Sequence, residues 1–453
     1  MTESDGAAYT PPAPKFVSGS LRRHILVMTG AGAFGLMAIF VGELANILFV
    51  SLLDDTVLVA AIGYASIVVF MMISVGIGLS IAATALVSPA IGAGQREKAR
   101  RLTTNAIILS FVISACMALT LWILAPQLLK LLGATARTHQ VACEFARIVL
   151  PAMPALSVGM TCAAILRSEG DAKRAMYVTL TGAAVNVALD PILIFSLGLG
   201  IHGAAIASAC ARLAAMAIGL YGVVRVHNLA GPFDRKTLAP DSRALARVAV
   251  PAVATALATP FANGYVTASM APFGDGAVAA WAIIGRVIPV AFGAIFALSA
   301  SIGPIIGQNY GASAYGRLRE AYFEALKVTA AFTFAAWVLL ATAAPLVVAA
   351  FRVEGVAAEL IYFFCRWLSP LFVFLGALFV TNAVFNTLGR PHMSTLMNWS
   401  RATLGTVPFV TVGGMFAGAH GVLAGNLVGG IFFGVVAVWL CTRHIDRVSL
   451  TSR

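Results

Sequence analysis

A carboxylate and an amide stand inside a long apolar run of this sequence. The segment AAVNVALDPILIF, residues 183–195, carries Asn186 and Asp190 four residues apart, followed directly by Pro191. Side chains at this spacing share one face of a helix, so the amide and the carboxylate lie side by side. Proline lacks a backbone N–H and leaves a carbonyl of its helix free, which makes Pro191 a candidate hinge. Because ionisable residues within apolar spans usually mark ion pathways, Asp190 is a candidate ion carrier.

Other polar groups lie at a similar distance from the ends of their own apolar runs. Asp190 is about eight residues from the end of its run, a depth of ~12 Å at ~1.5 Å per residue. By the same count Glu43, Asn46 and Ser208 fall in the same layer. Their oxygens suit a proton or a small monovalent cation, and Asp190, Asn186 and Ser208 would be the Na+ ligands. The alternative is that Asp190 caps a broken helix near the membrane interface and binds nothing.

The composition indicates the class of protein that positions these groups. The chain has 453 residues, of which 60% are hydrophobic and only 11% charged, and its mean hydropathy is +0.92. Only helices or closed barrels span lipid, and the apolar runs here are long and continuous rather than alternating. We therefore predict an all-α polytopic membrane protein. The net charge of +12 is interpreted as orienting the helices in the membrane, and no nucleic-acid partner is expected.

Twelve apolar segments are long enough to cross a bilayer. They cover residues 25–52, 56–88, 103–126, 140–166, 174–198, 203–226, 244–271, 277–306, 322–350, 356–386, 394–416 and 420–442. Basic residues sort to alternate connections, such as the RKTLAPDSR stretch (235–243) after the sixth segment. By the positive-inside rule, both termini are expected in the cytoplasm, with the chain crossing the cell (inner or plasma) membrane.

The two halves of the chain repeat each other. SPAIGAGQREKARR (88–101) resembles GPIIGQNYGASAYGRLR (303–319), with Gly92 and Gly311 separated by 219 residues. Arg147 and Arg366 keep the same offset. Each copy holds six spans, so both copies point the same way, which predicts two pseudo-symmetric six-helix lobes related by an axis along the membrane normal. Two facing bundles with a central cleft favour a transporter over a channel, because no filter-like loop is present.

The repeat also predicts the domain boundaries. We expect a disordered cytoplasmic tail at 1–24, an N-lobe at 25–226, a cytoplasmic linker at 227–243, a C-lobe at 244–442 and a second tail at 443–453.

The C-lobe lacks the acids of the N-lobe. Under the repeat offset, Asp190 aligns near Pro408 or Phe409, and Glu43 near Ala262. The deep charges of the C-lobe are Arg286 and Arg401, which either pair with backbone carbonyls or line the cleft as substrate contacts.

Five stretches together resemble one transporter family over essentially the whole chain. They are IGAGQREKARR (91–101), LRSEGDAKRAM (166–176), NVALDPILIFSLGLGIHGAAIAS (186–208), IGQNYGASAYGRLREA (306–321) and FNTLGRPHMSTL (385–396). In this order and spacing, the chain resembles the multidrug and toxic compound extrusion (MATE) family. The resemblance implies a secondary antiporter that exports bulky, often cationic lipophilic compounds in exchange for H+ or Na+, without a bound cofactor.

The resemblance also implies which residues couple the ion. Asn186, Asp190 and Ser208 fall on the family's cation-coupling positions, with Ser208 in place of the usual threonine. The family normally carries an acid where this chain has Asn46. Glu43, one turn earlier, either replaces that acid or does not, and the coupling ion stays open.

Two other functions compete with this interpretation. A lipid-linked saccharide flippase shares the two-lobe plan and would use a cationic cavity, for which Arg286 and Arg401 are candidates. An intramembrane enzyme is disfavoured because no histidine is spaced to bind a metal with the N-lobe acids. We therefore expect no enzyme activity. The expected partners are a small organic substrate and the lipid bilayer, and the chain is expected to be a monomer.

Overall fold

Long apolar runs separated by short polar turns fold into helices. In the computed structural model, which describes residues 13–53 and 55–450, these residues form helices and connecting turns without a strand. The membrane-spanning helices before the last helical stretch are α1 (Leu21–Ser51), α2 (Thr56–Gly92), α3 (Arg96–Leu131), α4 (Ala136–Ser168), α5 (Ala172–Ser196), α6 (Gly200–Val226), α7 (Arg235–Met270), α8 (Asp275–Ala291 and Gly293–Gly311), α9 (Tyr315–Phe351) and α10 (Val356–Thr387).

Two features bring the spans of the described residues to twelve. The two parts of α8 meet at an angle of 51° beside Phe292 and act as one bent span. The last stretch, Pro391–Leu450, contains non-helical backbone at Ala417 and Gly418. The chain reverses direction there, as shown by Gly405 before the break and Gly429 after it, which pack backbone to backbone. This stretch is therefore a pair of antiparallel helices, α11 (391–416) and α12 (419–450), and the predicted all-α fold with twelve spans in two lobes is confirmed.

The even number of spans places both described chain ends on one face of the membrane. This face also carries the turns at 93–95, 169–171, 227–234, 312–314 and 388–390. Most of the described arginines and lysines lie in the helix ends that flank these turns or near the chain ends. We call it the basic face.

The two lobes meet through the repeated glycine motifs. Helices α1 and α2 of the N-lobe pack against α7 and α8 of the C-lobe. A Cβ atom on Gly92 would overlap the backbone of Gln308, and one on Gly311 would overlap the backbone of Pro89. Since 89 and 308 are themselves repeat positions, each copy of the motif contacts the other copy. The contact between α2 and α8, which we call the seam, therefore lies on the pseudo-twofold axis.

Among the described residues, the apolar clusters that join the lobes extend from the basic face to about the middle of the spans. One apolar cluster joins α2 to Leu245 and Val248 at the start of α7, and another joins Leu21 and Ile25 of α1 to the end of α8. The large clusters toward the opposite face each belong to a single lobe. Among the described residues, the cleft between the lobes is therefore closed at the basic face and opens toward the opposite face.

The expected terminal tails differ from the structure where the chain is described. Residues 1–12 of the predicted tail 1–24 and residues 451–453 of the tail 443–453 lie outside the described residues. Within the first tail, Phe16 is buried and α1 begins at Leu21, because Phe16 packs into the apolar cluster at the start of α1. Helix α12 continues to Leu450, and α7 begins at Arg235 inside the expected linker 227–243.

Candidate functional site

Helices α1 and α5 run parallel and in close contact through the N-lobe. Small residues permit this approach: a Cβ atom on Gly42 would lie 3.7 Å from the Cα and Cβ atoms of Ala183. One turn farther along, Asn46 of α1 faces Asp190 of α5. The close packing of the two helices therefore fixes the position of this polar pair.

Two amides hold the carboxylate. Asn46 Nδ2 donates to Asp190 Oδ1 at 3.1 Å and to Oδ2 at 3.0 Å, and Asn186 Nδ2 donates to Oδ2 at 2.8 Å. Asp190 is fully buried, with 0% exposure. We call Asn46, Asn186 and Asp190 the acid cluster. It joins the two helices by hydrogen bonds from α1 and from within α5.

The carboxylate of the acid cluster has no cationic partner among the described residues. Asn46 and Asn186 are the side chains that interact with it. A buried carboxylate without a countercharge is costly, and it is stabilised by taking up a proton or a metal cation. The amide oxygens of Asn46 and Asn186, with the carboxylate, are hard oxygen ligands of the kind that a small monovalent cation accepts.

Pro191 changes the winding of α5 without ending the span. After Pro191 the chain makes one π-helical turn, Ile192–Ser196. Gly203 of α6 packs on this turn, because a Cβ atom there would lie 2.6 Å from the carbonyl carbon of Leu193. π-turns within helices often occur at functional sites, and this one directly follows the acid cluster.

Ser208 and Glu43 lie outside the acid cluster. Ser208 is half-buried on α6 and donates no hydrogen bond to the acid cluster within the described part of the chain. Glu43 is exposed and is influenced by the charge of Arg212 on α6 rather than by Asp190. Sequence reasoning missed Arg212, although it lies four residues after Ser208 on the same face of its helix.

The two C-lobe arginines differ in their surroundings. Arg286 on α8 is exposed. Arg401 on α11 is 6% exposed, its Nε has no hydrogen-bond partner, and no described carboxylate pairs with it. Arg212 Nη1 in the N-lobe is likewise buried without a hydrogen-bond partner. Guanidinium groups carry five donors, so unpaired donors in both lobes indicate unsatisfied capacity to bind an anion.

The basic face carries an ordered ionic network between two turns of the N-lobe. Asp171 caps α5 by accepting from Arg174 N at 3.0 Å, and His227 Nε2 lies 2.8 Å from Asp171 Oδ2. Burial raises the pKa of Asp171, but the hydrogen bonds from His227 and Arg174 outweigh burial and hold that pKa well below its usual value. This network fixes the turn where α5 begins.

Comparison with known proteins identifies repeated similarity over both lobes. The MatE family model matches residues 32–192 and again residues 251–411. The second matched stretch begins and ends 219 residues after the first, which is the offset of the internal repeat.

Full-length relatives include transporters with different named substrates. A protein named FAD transporter from Shewanella oneidensis is 28% identical over 442 residues, covering 96% of this chain and 98% of its own. The multidrug export protein MepA of Staphylococcus aureus is 20% identical over 418 residues, with 92% of each chain covered.

Solved structures share the fold closely. The Vibrio cholerae MATE transporter VcmN, in an Asp-to-Asn mutant form, gives a TM-score of 0.87 at 27% identity and covers 94% of this chain and 97% of its own. A multidrug resistance MATE family transporter in an outward-facing conformation gives a TM-score of 0.89 at 23% identity, covering 97% and 99%.

Proposed function

The chain belongs to the MATE family of transporters, and from this premise we propose that it is a secondary antiporter that exports organic compounds in exchange for H+ or Na+. As a family member it is a transporter and not an enzyme. The observation that carries the proposal is the acid cluster, a buried carboxylate that accepts hydrogen bonds from two amides and has no cationic side chain beside it within the described part of the chain. The expected coupling residues are Asp190, Asn186 and Asn46.

Ion binding would rearrange the hydrogen bonds between α1 and α5. In the ionised form, the Asp190 oxygens accept three N–H contacts from the two amides. Protonation turns one oxygen into a donor that faces an N–H donor, and a bound cation draws the amide oxygens inward instead. Either event favours rotation of Asn46 or Asn186 and alters the contact between the helices. We expect α5 to bend at the π-turn after Pro191 when the ion binds.

The orientation follows from charge. We propose that the basic face lies in the cytoplasm, since most of the described arginines and lysines lie in the helix ends and chain ends at this face. The cleft would then open to the outside, and release of the substrate would occur from this conformation. The expected location is the cell membrane, and a monomer contains both lobes of the cleft.

Two substrate classes are supported by different observations. Lipophilic cations, the class that the resemblance implies, are supported by Glu43 and by the name of the multidrug relative. Anionic compounds are a second candidate, supported by the unpaired donors of Arg212 and Arg401 and by the relative named FAD transporter. Family membership favours either class over a lipid-linked saccharide, the flippase alternative.

Transport into proteoliposomes of known orientation tests the coupling. With an imposed H+ or Na+ gradient, one of the two ions should drive uptake of an organic dye or of FAD by the unmodified protein. Asp190→Asn keeps the size of the side chain but removes its charge, so gradient-driven transport should fall to the level of empty vesicles. Asp275→Asn, at the exposed start of α8, is the control and should transport normally. Normal gradient-driven transport by Asp190→Asn would refute the assignment.

A further inference from the structure

A segment before the first helix crosses the basic face from one lobe to the other. We call residues 13–20, APKFVSGS, the strap. Phe16 at its centre is 1% exposed and packs with Ile25 and Met28 of α1 and with Ile305 and Ile306 of α8. An aromatic ring buried at this depth contributes substantial apolar contact area to the site.

The C-lobe binds the backbone of the strap on both sides of Phe16. Phe16 N donates to Gln308 Oε1 at 2.8 Å, while Asn309 Nδ2 and Arg317 Nε donate to Phe16 O at 3.2 Å and 3.1 Å. Arg317 Nη2 also donates to the carbonyl of Ser18 at 2.9 Å. Gln308 and Asn309 are both fully buried, with 0% exposure. Buried side chains from α8 and a guanidinium from α9 therefore position the strap.

The N-lobe binds the other side of the strap. Lys15 Nζ donates to the carbonyl of Gly170 at 2.8 Å. The backbone of Gly170 has φ of +86°, and a Cβ atom there would lie 2.7 Å from Lys15 Cδ. The turn between α4 and α5 is thus shaped to accept the strap at close range.

Gln308 joins all three parts. Its Oε1 accepts from the strap, its Nε2 donates to the carbonyl of Ser168 in the N-lobe at 2.7 Å, and its backbone meets Gly92 at the seam. Opening the cleft at the basic face separates α8 from the turn at Ser168. The strap cannot follow both lobes, so its contacts with one of them must break.

We propose that the strap is a conformational lock that holds the cleft closed at the basic face and must leave one lobe before substrate can enter there. This inference rests on the proposed alternating exposure of the cleft. The lock makes the outward-open conformation the resting state, because opening at the basic face requires exposure of Phe16 and loss of the strap's hydrogen bonds.

Spin labels on the basic face measure the lock directly. Lys173→Cys in the N-lobe and Glu320→Cys in the C-lobe are exposed positions, and Cys116 and Cys210 would be replaced by alanine in this background to limit labelling of native thiols. Double electron–electron resonance on the full chain in nanodiscs, without substrate or ion gradient, should give mainly the short separation. Phe16→Ala should raise the population with the long separation about tenfold.

A matched control and a second variant complete the test. Ser18→Ala changes an exposed strap side chain and leaves its backbone carbonyl in place, so its distances should equal those of the starting protein. Lys15→Ala removes only the link to Gly170 and should raise the long separation about threefold. If Phe16→Ala does not fold, the distances measured in Lys15→Ala test the proposal instead.

Unchanged distances in the folded variants would overturn the lock. The same measurement in an Asp190→Asn background separates this inference from the proposed function. The effect of the strap variants should persist there even if Asp190 has no role in transport.

Discussion

The two lobes share a scaffold and differ in their buried charges. At the seam, Gly92 and Gly311 make reciprocal backbone contacts. Deeper in each lobe the symmetry ends, because the N-lobe places Asp190 where the C-lobe has Pro408 or Phe409. The C-lobe buries Arg401, whose Nε has no hydrogen-bond partner among the described residues, and no buried carboxylate occupies the position equivalent to Asp190. Residues that hold the lobes together keep the repeat, while the buried polar residues deeper in each lobe do not.

At the seam, matching substitutions in the two lobes should have equal effects on stability. A methyl group at Gly92 or Gly311 overlaps backbone that cannot rotate away. Gly92→Ala and Gly311→Ala should each lower the free energy of unfolding by about 3 kcal/mol. The measurement is thermal unfolding in detergent. Gly264→Ala, at an exposed helical position with open space around it, should be neutral or slightly stabilising. A large effect from only one of the two seam glycines would show that the contacts are not equivalent.

The acid cluster predicts an effect confined to the N-lobe. Asn46→Leu removes both hydrogen bonds from α1 to the buried carboxylate. The loss should weaken ion-driven transport by about 2 kcal/mol, roughly thirtyfold, because the carboxylate keeps only the Asn186 donor. Initial rates in proteoliposomes under a fixed gradient measure it. Val41→Leu, at an exposed position of α1 that makes no hydrogen bond to Asp190, is the control. Equal rates in Asn46→Leu and the unmodified protein would remove Asn46 from the coupling site.

Replacement of Arg401 should change the free energy of unfolding in the direction opposite to the seam substitutions. A buried cation without a partner is unfavourable, so Arg401→Met should leave the free energy of unfolding unchanged or raise it by about 1 to 2 kcal/mol. If Arg401 contacts anionic substrate, transport of FAD should fall while transport of a cationic dye persists. Arg366→Met, at an exposed arginine that lies over the Tyr362 ring, is the control. Destabilisation by about 3 kcal/mol or more would instead indicate a structural ion pair.

The turns before α5 and α11 give the smallest expected contrast. Asp171 caps α5, whereas Arg390 at the equivalent place in the C-lobe provides no side-chain cap. Asp171→Ala should cost about 1 kcal/mol of stability at neutral pH, and Arg390→Ala should cost nothing. Since the folded state holds the pKa of Asp171 below its usual value, its contribution is complete above about pH 4 and is lost as the pH falls further. Unfolding midpoints between pH 3 and pH 7 should therefore converge at the acidic end, and a constant difference would contradict this reasoning.

The sequence predicts those features of the fold and site that depend on how far along a helix each residue lies. The number of spans, the pairing of Asn186 with Asp190 and the depth of Asn46 follow from residue spacing. Rotation about the axis is set by packing with other helices. Within the described residues Ser208 and Glu43 make no hydrogen bond to Asp190, and their part in ion coupling stays a prediction. Glu43, three residues before Asn46, points about 60° away around α1, and its charge interacts with Arg212.

Contacts between distant segments were the other limit. The repeat offset pairs Gly92 with Gly311 but does not reveal what they contact; Gly311 belongs to a helix and Gly92 ends one, and both make the seam. Phe16 lies in a segment whose composition is typical of a disordered tail, and a single aromatic residue there does not reveal the buried site formed by both lobes.

The reciprocal contact of the glycine motifs has the geometry of an isologous interface within one chain. Position 92 of one half meets position 308 of the other, and 311 meets 89, as paired residues do across a twofold homodimer. A six-helix half would thus carry a face complementary to a second copy of itself. Joining two such copies in one polypeptide lets each diverge while the interface between them is kept, so a buried carboxylate such as Asp190 can stand in one half where the other half has Pro408 or Phe409.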